Sequence, residues 1–329
     1  MKSFFAPHLN RHVKLGRKRS VAIGPHLKLR NYLRAALPTP PSSVDYSSAA
    51  AASLSDVMKN DELGCCVIAG GYHVEGVETG NAGNLYVPSD AQIIADYSAI
   101  GGYVPGDPST DNGCDLQTAM NYWSQSGFKN GTKLLGYLAV DPTNQQEVMT
   151  ACWLFENLYH AFELPDEWIS PFPSSSGFVW DDAQPDQNNG HCVCSVGYDS
   201  NGVRICTWGM LGSVTWRALA HLGSQSAGGE LWVLLSPDQL AKGQTKAPNG
   251  VDWTSLLADW DALGGNVPLP KPPPGPPAPP PAPTPGAAPT LAQAQAATTA
   301  AIQSMHPLMT RQQAENAVNS ALAPLWPSS

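Results

Sequence analysis

Two segments of this 329-residue chain contain residue types that could form a nucleophilic pair. Residues 60–73 form a polar, glycine-containing loop that leads to Cys66, followed by small and apolar residues typical of a helix. The free N–H groups and positive dipole end of a helix N-terminus favour a thiolate over a thiol. Residues 189–199 place His191 after a glycine, at the start of a β-branched strand. We predict that Cys66 is a nucleophile, with a lowered pKa, and that His191 is its general base.

The predicted histidine strand has a partner in the sequence. Residues 203–209 follow it after an Asp-Ser-Asn-Gly turn at 199–202 and are predicted to form the second strand of a hairpin. This second strand ends in Trp208 and Gly209.

These residues, in this order, resemble the papain-like cysteine peptidases. In that family a Gln stands six residues before the nucleophilic cysteine, a Gly-His strand lies far downstream, and Asn-Ser-Trp-Gly stands on the next strand. Here Asn60 occupies the position of the Gln, and the resemblance implies that it holds the oxyanion. His191 follows Cys66 by 125 residues, just short of the ~130–150 expected in the family.

The resemblance covers roughly residues 40–240, and uncharacterised papain-fold proteins of bacterial and phage genomes are also similar. Upstream, Pro-Ser-Ser-Val-Asp-Tyr at 41–46 resembles the Pro-x-x-Val-Asp-Trp that opens the mature papain domain. Cys65 occupies the position of a serine that precedes the nucleophile, and Trp208 that of an aromatic lid over the catalytic pair. The resemblance implies a two-lobed fold with the cleft between the lobes.

One position departs from the family pattern. Aligning Trp208 with the tryptophan of Asn-Ser-Trp-Gly puts Cys206 at the position of the asparagine that orients the histidine. A thiol is a poor substitute for an amide acceptor. If the site is active, another group must orient His191. The candidates are Thr207, Asn188 and Asn189.

Two rival chemical interpretations are weaker. His73 lies on the same predicted helix face as Cys66, but seven residues at ~1.5 Å rise place it about 10 Å along the axis. We predict that it is a packed or capping histidine. A zinc site could draw on His191, Cys192, Cys194, Cys65 and Cys66. Strand alternation, however, sends His191 one way and both following cysteines the other. We therefore expect no metal and no cofactor.

Composition restricts the possible partners and compartments. The net charge of −9 argues against nucleic acid, although 9 of the 18 Lys and Arg residues lie in the first 34 positions. Such a basic arm is expected to lie across its own domain or to be solvated. We find no apolar stretch of ~18 residues and no signal-peptide pattern. Seven cysteines, two of them adjacent, suit reduced thiols, so synthesis in a cytoplasm is expected. Virion association or signal-independent release remains an alternative.

The predicted layout is α+β, with helices first and antiparallel strands later. Helices are predicted at 66–79, 89–100, 115–126 and 145–162, and strands at 191–198, 203–208, 213–216 and 230–235. The predicted parts are a basic extended arm (1–40), a papain-like domain (41–240), a partly helical extension (241–266), a proline-rich linker (267–289) and a two-helix repeat (290–329). We expect the repeat to bind a protein partner or to oligomerise.

Together these features predict a thiol-dependent hydrolase, a peptidase or amidase, acting on a peptide or peptidoglycan-like substrate through Cys66, His191 and Asn60. The alternative from another class is a catalytically silent papain-fold module. Such a module would be a binding or virion-associated structural protein anchored by its C-terminal helices.

Overall fold

The structure is a computed structural model and describes residues 2–21, 26–33, 39–237 and 298–299. Nearly all of the predicted extension, linker and two-helix repeat (241–329) lies outside these residues, so those predictions stay predictions. No helix in the described part of the chain is long and apolar enough to cross a membrane.

Helices dominate the first half of the described domain, as predicted. Ser89, Asp115 and Asn144 each accept a hydrogen bond from a backbone N–H in the first turn of the helix that follows. These caps explain why three helices begin where the sequence indicates. The helices are α1 Ala51–Leu54, α2 Cys66–Asn81, α3 Asp90–Gly101, α4 Leu116–Gln125, α5 Gln145–Phe155, α6 Asp166–Ile169 and α7 Trp216–Leu222.

Strands dominate the second half and build an eight-stranded sheet. Its order is β4-β10-β5-β7-β8-β9-β6, and β3 pairs with β7 off this path. Every pairing is antiparallel except that of β6 with β9. The α+β prediction is confirmed. The strands are β1 Ser3–Ala6, β2 Arg11–Lys14, β3 Val44–Asp45, β4 Gly136–Ala139, β5 Leu158–Glu163, β6 Phe178–Trp180, β7 Gly190–Tyr198, β8 Gly202–Thr207, β9 Met210–Thr215 and β10 Glu230–Leu235.

The fourth predicted helix was too long. Residues 145–162 were expected to form one helix, but α5 ends at Phe155, and Glu156 takes a left-handed conformation with φ 61°. The next residues form β5, which pairs with β10 on one side and β7 on the other. Pairing at the centre of a sheet thus overrides the apolar helical spacing of this segment.

Two smaller boundaries also differ. Helix α2 was predicted to end at residue 79, but it continues through Gly80 to Asn81. A Cβ at Gly80 would lie 2.5 Å from the carbonyl oxygen of Ala49, so this glycine allows close packing. The segment 164–190, in which no helix or strand was predicted, contains α6 and β6.

The two faces of the sheet bury separate sets of side chains. Val193 and Ile205 pack with α5, α7 and the arm in one cluster. Cys192 and Cys194 pack against α2 in the other. Alternation along β7 therefore separates these cysteines from His191, as predicted.

The described part of the predicted arm lies on the domain. Strands β1 and β2 form a hairpin, and residues 14–18 then run between the loops that precede α2 and α4 on one side and Gly190 of β7 on the other. We call this gap the cleft, and residues 2–21 the arm.

Candidate active site

Cys66 is the first residue of α2, and its side chain is buried in the cleft. The loop before it is held by polar contacts. The backbone N–H of Gly64 donates to Asp111 Oδ1 at 3.0 Å, and Asn60 Nδ2 donates to the carbonyl of Leu63 at 3.1 Å. Cys65, at the position of the family serine, points its thiol to the carbonyl of Met58 at 3.5 Å. Cys66 alone of the two cysteines therefore opens the helix.

His191 lies near the start of β7 with its ring held on one face and one edge. The ring stacks on Trp208, with centroids 3.8 Å apart and planes 7° from parallel. Nε2 lies 2.9 Å from Thr207 Oγ1. Nδ1 is buried without a hydrogen-bond partner among the described residues. One ring nitrogen thus has a hydrogen-bond partner, and the other has none among the described residues.

Of the three candidates for orienting His191, Thr207 is the one whose side chain contacts the ring. The two other candidates are engaged elsewhere, since Asn189 donates to Leu164 and Asp166, and Asn188 to Asp186. Cys206, at the position of the family asparagine, points its thiol away to the carbonyl of Leu54 at 3.2 Å.

The side chains of Cys66 and His191 have different neighbours, because Cys66 packs with Cys192 beside α2, whereas His191 stacks on Trp208, which belongs to the other cluster. No hydrogen bond joins the two side chains in the described structure. The backbone of Cys192, the residue after His191, hydrogen-bonds to the Cys66 sulfur, and so does the backbone of Gly16 in the arm. The arm therefore covers the sulfur in this form of the protein.

Asn60 lies at the junction of the loop, the arm and β8. Its Nδ2 also reaches the carbonyl of Lys14 in the arm at 3.4 Å, and its own carbonyl accepts from Trp208 Nε1 at 3.3 Å. The predicted oxyanion donor thus already contacts a peptide carbonyl in the cleft.

Burial reverses the protonation state expected for this pair. It raises the pKa of Cys66 to about 11, although hydrogen bonds from the backbone of Cys192 and Gly16 and the charge of Arg17 act in the opposite direction. Burial lowers the pKa of His191 to about 3. The predicted lowering of the Cys66 pKa is wrong for this covered form, in which thiol and imidazole are both neutral at pH 7.

The backbone of the arm packs directly against the backbone of the cleft walls. A Cβ at Gly16 would lie 1.9 Å from the carbonyl oxygen of Gly64, and a Cβ at Gly190 would lie 2.1 Å from that of Arg17. These two glycines are required because side chains there would push the strands apart.

Ion pairs hold the arm against an acidic surface. Lys14 pairs with the buried Asp111 at 2.7 Å, and Arg11 pairs with Asp61 at 2.7 Å. Arg17 is itself buried, 2.6 Å from Glu230. The uneven charge of the sequence therefore corresponds to an arm that lies across its own domain.

The remaining candidates have structural contacts. His73 Nε2 lies 3.0 Å from the carbonyl of Asp56, and burial lowers its pKa, in keeping with a packed histidine. Groups of His, Cys, Asp and Glu able to hold a metal are absent from the described residues.

Comparisons place these observations beside known proteins. No protein-family model and no curated protein matches the sequence. Xylellain, a cysteine protease from Xylella fastidiosa, is 13% identical with a TM-score of 0.47, covering 71% of this chain and 98% of its own. Digestive procathepsin L 3 of Tenebrio molitor larval midgut is 18% identical with a TM-score of 0.45, covering 64% and 76%. A Carica candamarcensis cysteine protease in complex with E-64 is 14% identical with a TM-score of 0.41, covering 59% and 98%.

The solved structures that this chain resembles are thus papain-like cysteine proteases, as the sequence motifs indicated.

Proposed function

We propose that this protein is a thiol-dependent hydrolase of peptide-type bonds that the arm holds in a latent form. The observation that carries the proposal is an extended peptide that contacts the neighbours of both residues. Gly16 of the arm packs on Gly64, two residues before Cys66, and Arg17 N–H donates to Gly190, the residue before His191. A thiol, an imidazole and a bound peptide backbone are the components of acyl transfer.

In the proposed reaction, His191 Nδ1 takes the proton of Cys66, and the thiolate attacks the carbonyl carbon of the substrate. The amide of Asn60 and the backbone N–H of Cys66 hold the oxyanion. His191 returns the proton to the leaving amine as the C–N bond breaks, which leaves a thioester. Water then attacks the thioester with His191 as base. The C–S bond breaks, which releases a carboxylic acid and restores the free Cys66 thiol.

Latency follows from burial. A neutral Cys66 thiol is a weak nucleophile, and the Gly16 backbone lies against its sulfur. Departure of the arm admits water and removes the main cause of the raised pKa of Cys66. The helix N-terminus and the imidazole then favour the thiolate.

The competing silent module is favoured by the absence of a direct Cys66–His191 hydrogen bond among the described contacts. To decide, the full-length chain and its Gly16→Val variant are compared on a fluorogenic casein. The valine side chain cannot fit 1.9 Å from Gly64, so it displaces the arm. Val21→Ala, at an arm residue 81% exposed, is the matched control.

We expect Gly16→Val to hydrolyse casein faster than the wild type. Adding Cys66→Ser should abolish the activity, whereas adding Cys65→Ser should leave most of it. If Gly16→Val does not fold, Lys14→Met loosens the arm by removing its pair with Asp111. The silent module would be established if folded variants with a displaced arm showed no hydrolysis and if their Cys66 were alkylated no faster than Cys114.

A further inference from the structure

The side chain of Arg17 occupies a buried position in the cleft. It is 1% exposed, and its Nη2 lies 2.6 Å from Glu230 Oε1, while Nη1 lies 4.0 Å from Glu163 Oε1. Arg17 Nε has no hydrogen-bond partner among the described residues. A charge is tolerated out of water only when it is paired, so the two carboxylates account for the placement of this guanidinium.

The backbone around Arg17 is bound as a peptide strand. Its N–H donates to the carbonyl of Gly190 at 3.0 Å on the sheet side of the cleft. On the helical side, Lys18 N–H donates to Cys114 at 2.9 Å, and Cys114 N–H donates to Gly16 at 3.1 Å. Main-chain bonds of this kind bind any extended peptide, so specificity has to come from side-chain pockets.

Glu230 is held in place by groups that do not belong to the arm. Its Oε2 accepts from Gln117 Nε2 at 3.2 Å and from Trp232 Nε1 at 3.3 Å. The carboxylate therefore keeps its position when Arg17 leaves, and a pre-organised group binds a ligand with less ordering cost.

The pocket demands a positive charge. Glu163 and Glu230 stand on neighbouring strands, β5 and β10, and with the arm in place Arg17 and Arg19 neutralise them. Displacement of the arm removes both cations at once. Two carboxylates left close together at the edge of the core attract a cation in their place.

We infer that Glu230 and Glu163 form a specificity pocket for an arginine side chain of the substrate, which Arg17 fills in the latent form. Gly16, next to Arg17, contacts the Cys66 sulfur, so the selected arginine lies within about two residues of the bond that is cut. Arginine suits the pocket better than lysine, because its planar fork reaches two carboxylates and an ammonium is a single point. The inference rests on the proposed function and names its substrate class.

A binding experiment tests the pocket separately from catalysis. The probe is a fluorescein-labelled peptide with the sequence of residues 11–20, and its control carries citrulline in place of Arg17. Citrulline keeps the shape of arginine and removes the charge. Both peptides are titrated by fluorescence anisotropy against the full-length Gly16→Val/Cys66→Ser chain, in which the arm is displaced and the peptides stay intact. A second receptor adds Glu230→Gln.

We expect the arginine peptide to bind at least about tenfold more tightly than the citrulline peptide, and Glu230→Gln to remove most of this difference. In the Gly16→Val enzyme, peptides with an arginine near the cut should be hydrolysed faster than matched citrulline peptides. If Gly16→Val does not fold, Lys14→Met/Arg17→Ala serves as receptor. Arginine-selective binding without hydrolysis by any arm-displaced variant overturns the proposed function and leaves the pocket. Equal binding of the two peptides, with or without hydrolysis, overturns the pocket.

Discussion

The imidazole of His191 lies parallel to the indole of Trp208, with ring centroids 3.8 Å apart and a plane angle of 7°. Trp208 is itself fixed, because its Nε1 donates to the carbonyl of Asn60 and Phe4 of the arm packs edge-on against its ring. The stack determines the plane of the imidazole, and the bond to Thr207 determines its rotation. Nδ1 is then the ring nitrogen without a hydrogen-bond partner among the described residues.

The first prediction concerns this orientation. Thr207→Val keeps the shape of the side chain but removes the oxygen that meets His191 Nε2. Because an imidazole without a fixed partner loses tautomer and geometry, we expect kcat to fall about tenfold in the Gly16→Val background. Thr207→Ser, which retains the hydroxyl, should keep most of the activity. Steady-state kinetics across pH 5–9 provide the measurement, and an unchanged kcat in Thr207→Val would exclude the orienting role.

The second prediction concerns the thiol. Because burial raises the pKa of Cys66 to about 11, its thiolate fraction at pH 8 is roughly a hundredfold or more below that of an ordinary exposed cysteine. We expect iodoacetamide to label Cys66 slowly in the wild type and at least about tenfold faster in Gly16→Val. Peptide mapping by mass spectrometry measures this, with Val21→Ala as the control. Equal rates in all three proteins would mean that the arm does not protect the sulfur.

The third prediction follows from a buried pair that the proposed reaction does not use. His160 Nε2 is hydrogen-bonded to Ser195 Oγ within the sheet, and burial lowers the pKa of His160 to about 3. The unfolded chain binds this proton near pH 6.5. The stabilising effect of the neutral ring is therefore complete above pH 6.5 and is lost as the pH falls toward 3.

Urea unfolding at pH 7 and pH 5 measures the effect. We expect His160→Gln to reduce the loss of unfolding free energy between these pH values by about 2 kcal/mol. His12→Gln, at an exposed arm position, is the control. The same pH dependence in His160→Gln and wild type would contradict a neutral buried ring.

Local signals account for what the sequence predicted well. The caps at Ser89, Asp115 and Asn144 bind the next turn of the chain, so the starts of these helices could be predicted from the sequence. The end of α5 could not be predicted, because β5 forms by pairing with strands that follow far along the chain. Apolar spacing alone does not separate a buried strand from a helix.

For the candidate site, too, local motifs could be recognised in the sequence and long-range contacts could not. Motif resemblance singled out Cys66 and His191, which the structure places at the start of α2 and near the start of β7. The motifs could not show that Arg17 lies beside Glu230, because this contact joins residues 213 positions apart in the sequence. The raised pKa of Cys66 was missed for the same reason, since it depends on the burial that the arm completes.

The last prediction concerns Asn60. Its Nδ2 donates to Leu63 in its own loop and lies 3.4 Å from the carbonyl of Lys14 in the arm. When the arm leaves, one N–H is released toward the cleft, where the proposed oxyanion forms. Loss of one such donor costs about a hundredfold in kcat. We therefore expect Asn60→Ala, in the Gly16→Val background, to lower kcat about a hundredfold with little change in KM.

A purely structural role of Asn60 would give a different result. Alkylation of Cys66 by iodoacetamide forms no oxyanion, so a donor that acts only in the transition state should leave the labelling rate unchanged. Asn112→Ala is the matched control, because its exposed amide is bonded to Ser109 in its own loop. Should labelling and kcat fall together in Asn60→Ala, with a lowered Tm, the side chain supports the loop that positions Cys66 and does not stabilise the oxyanion.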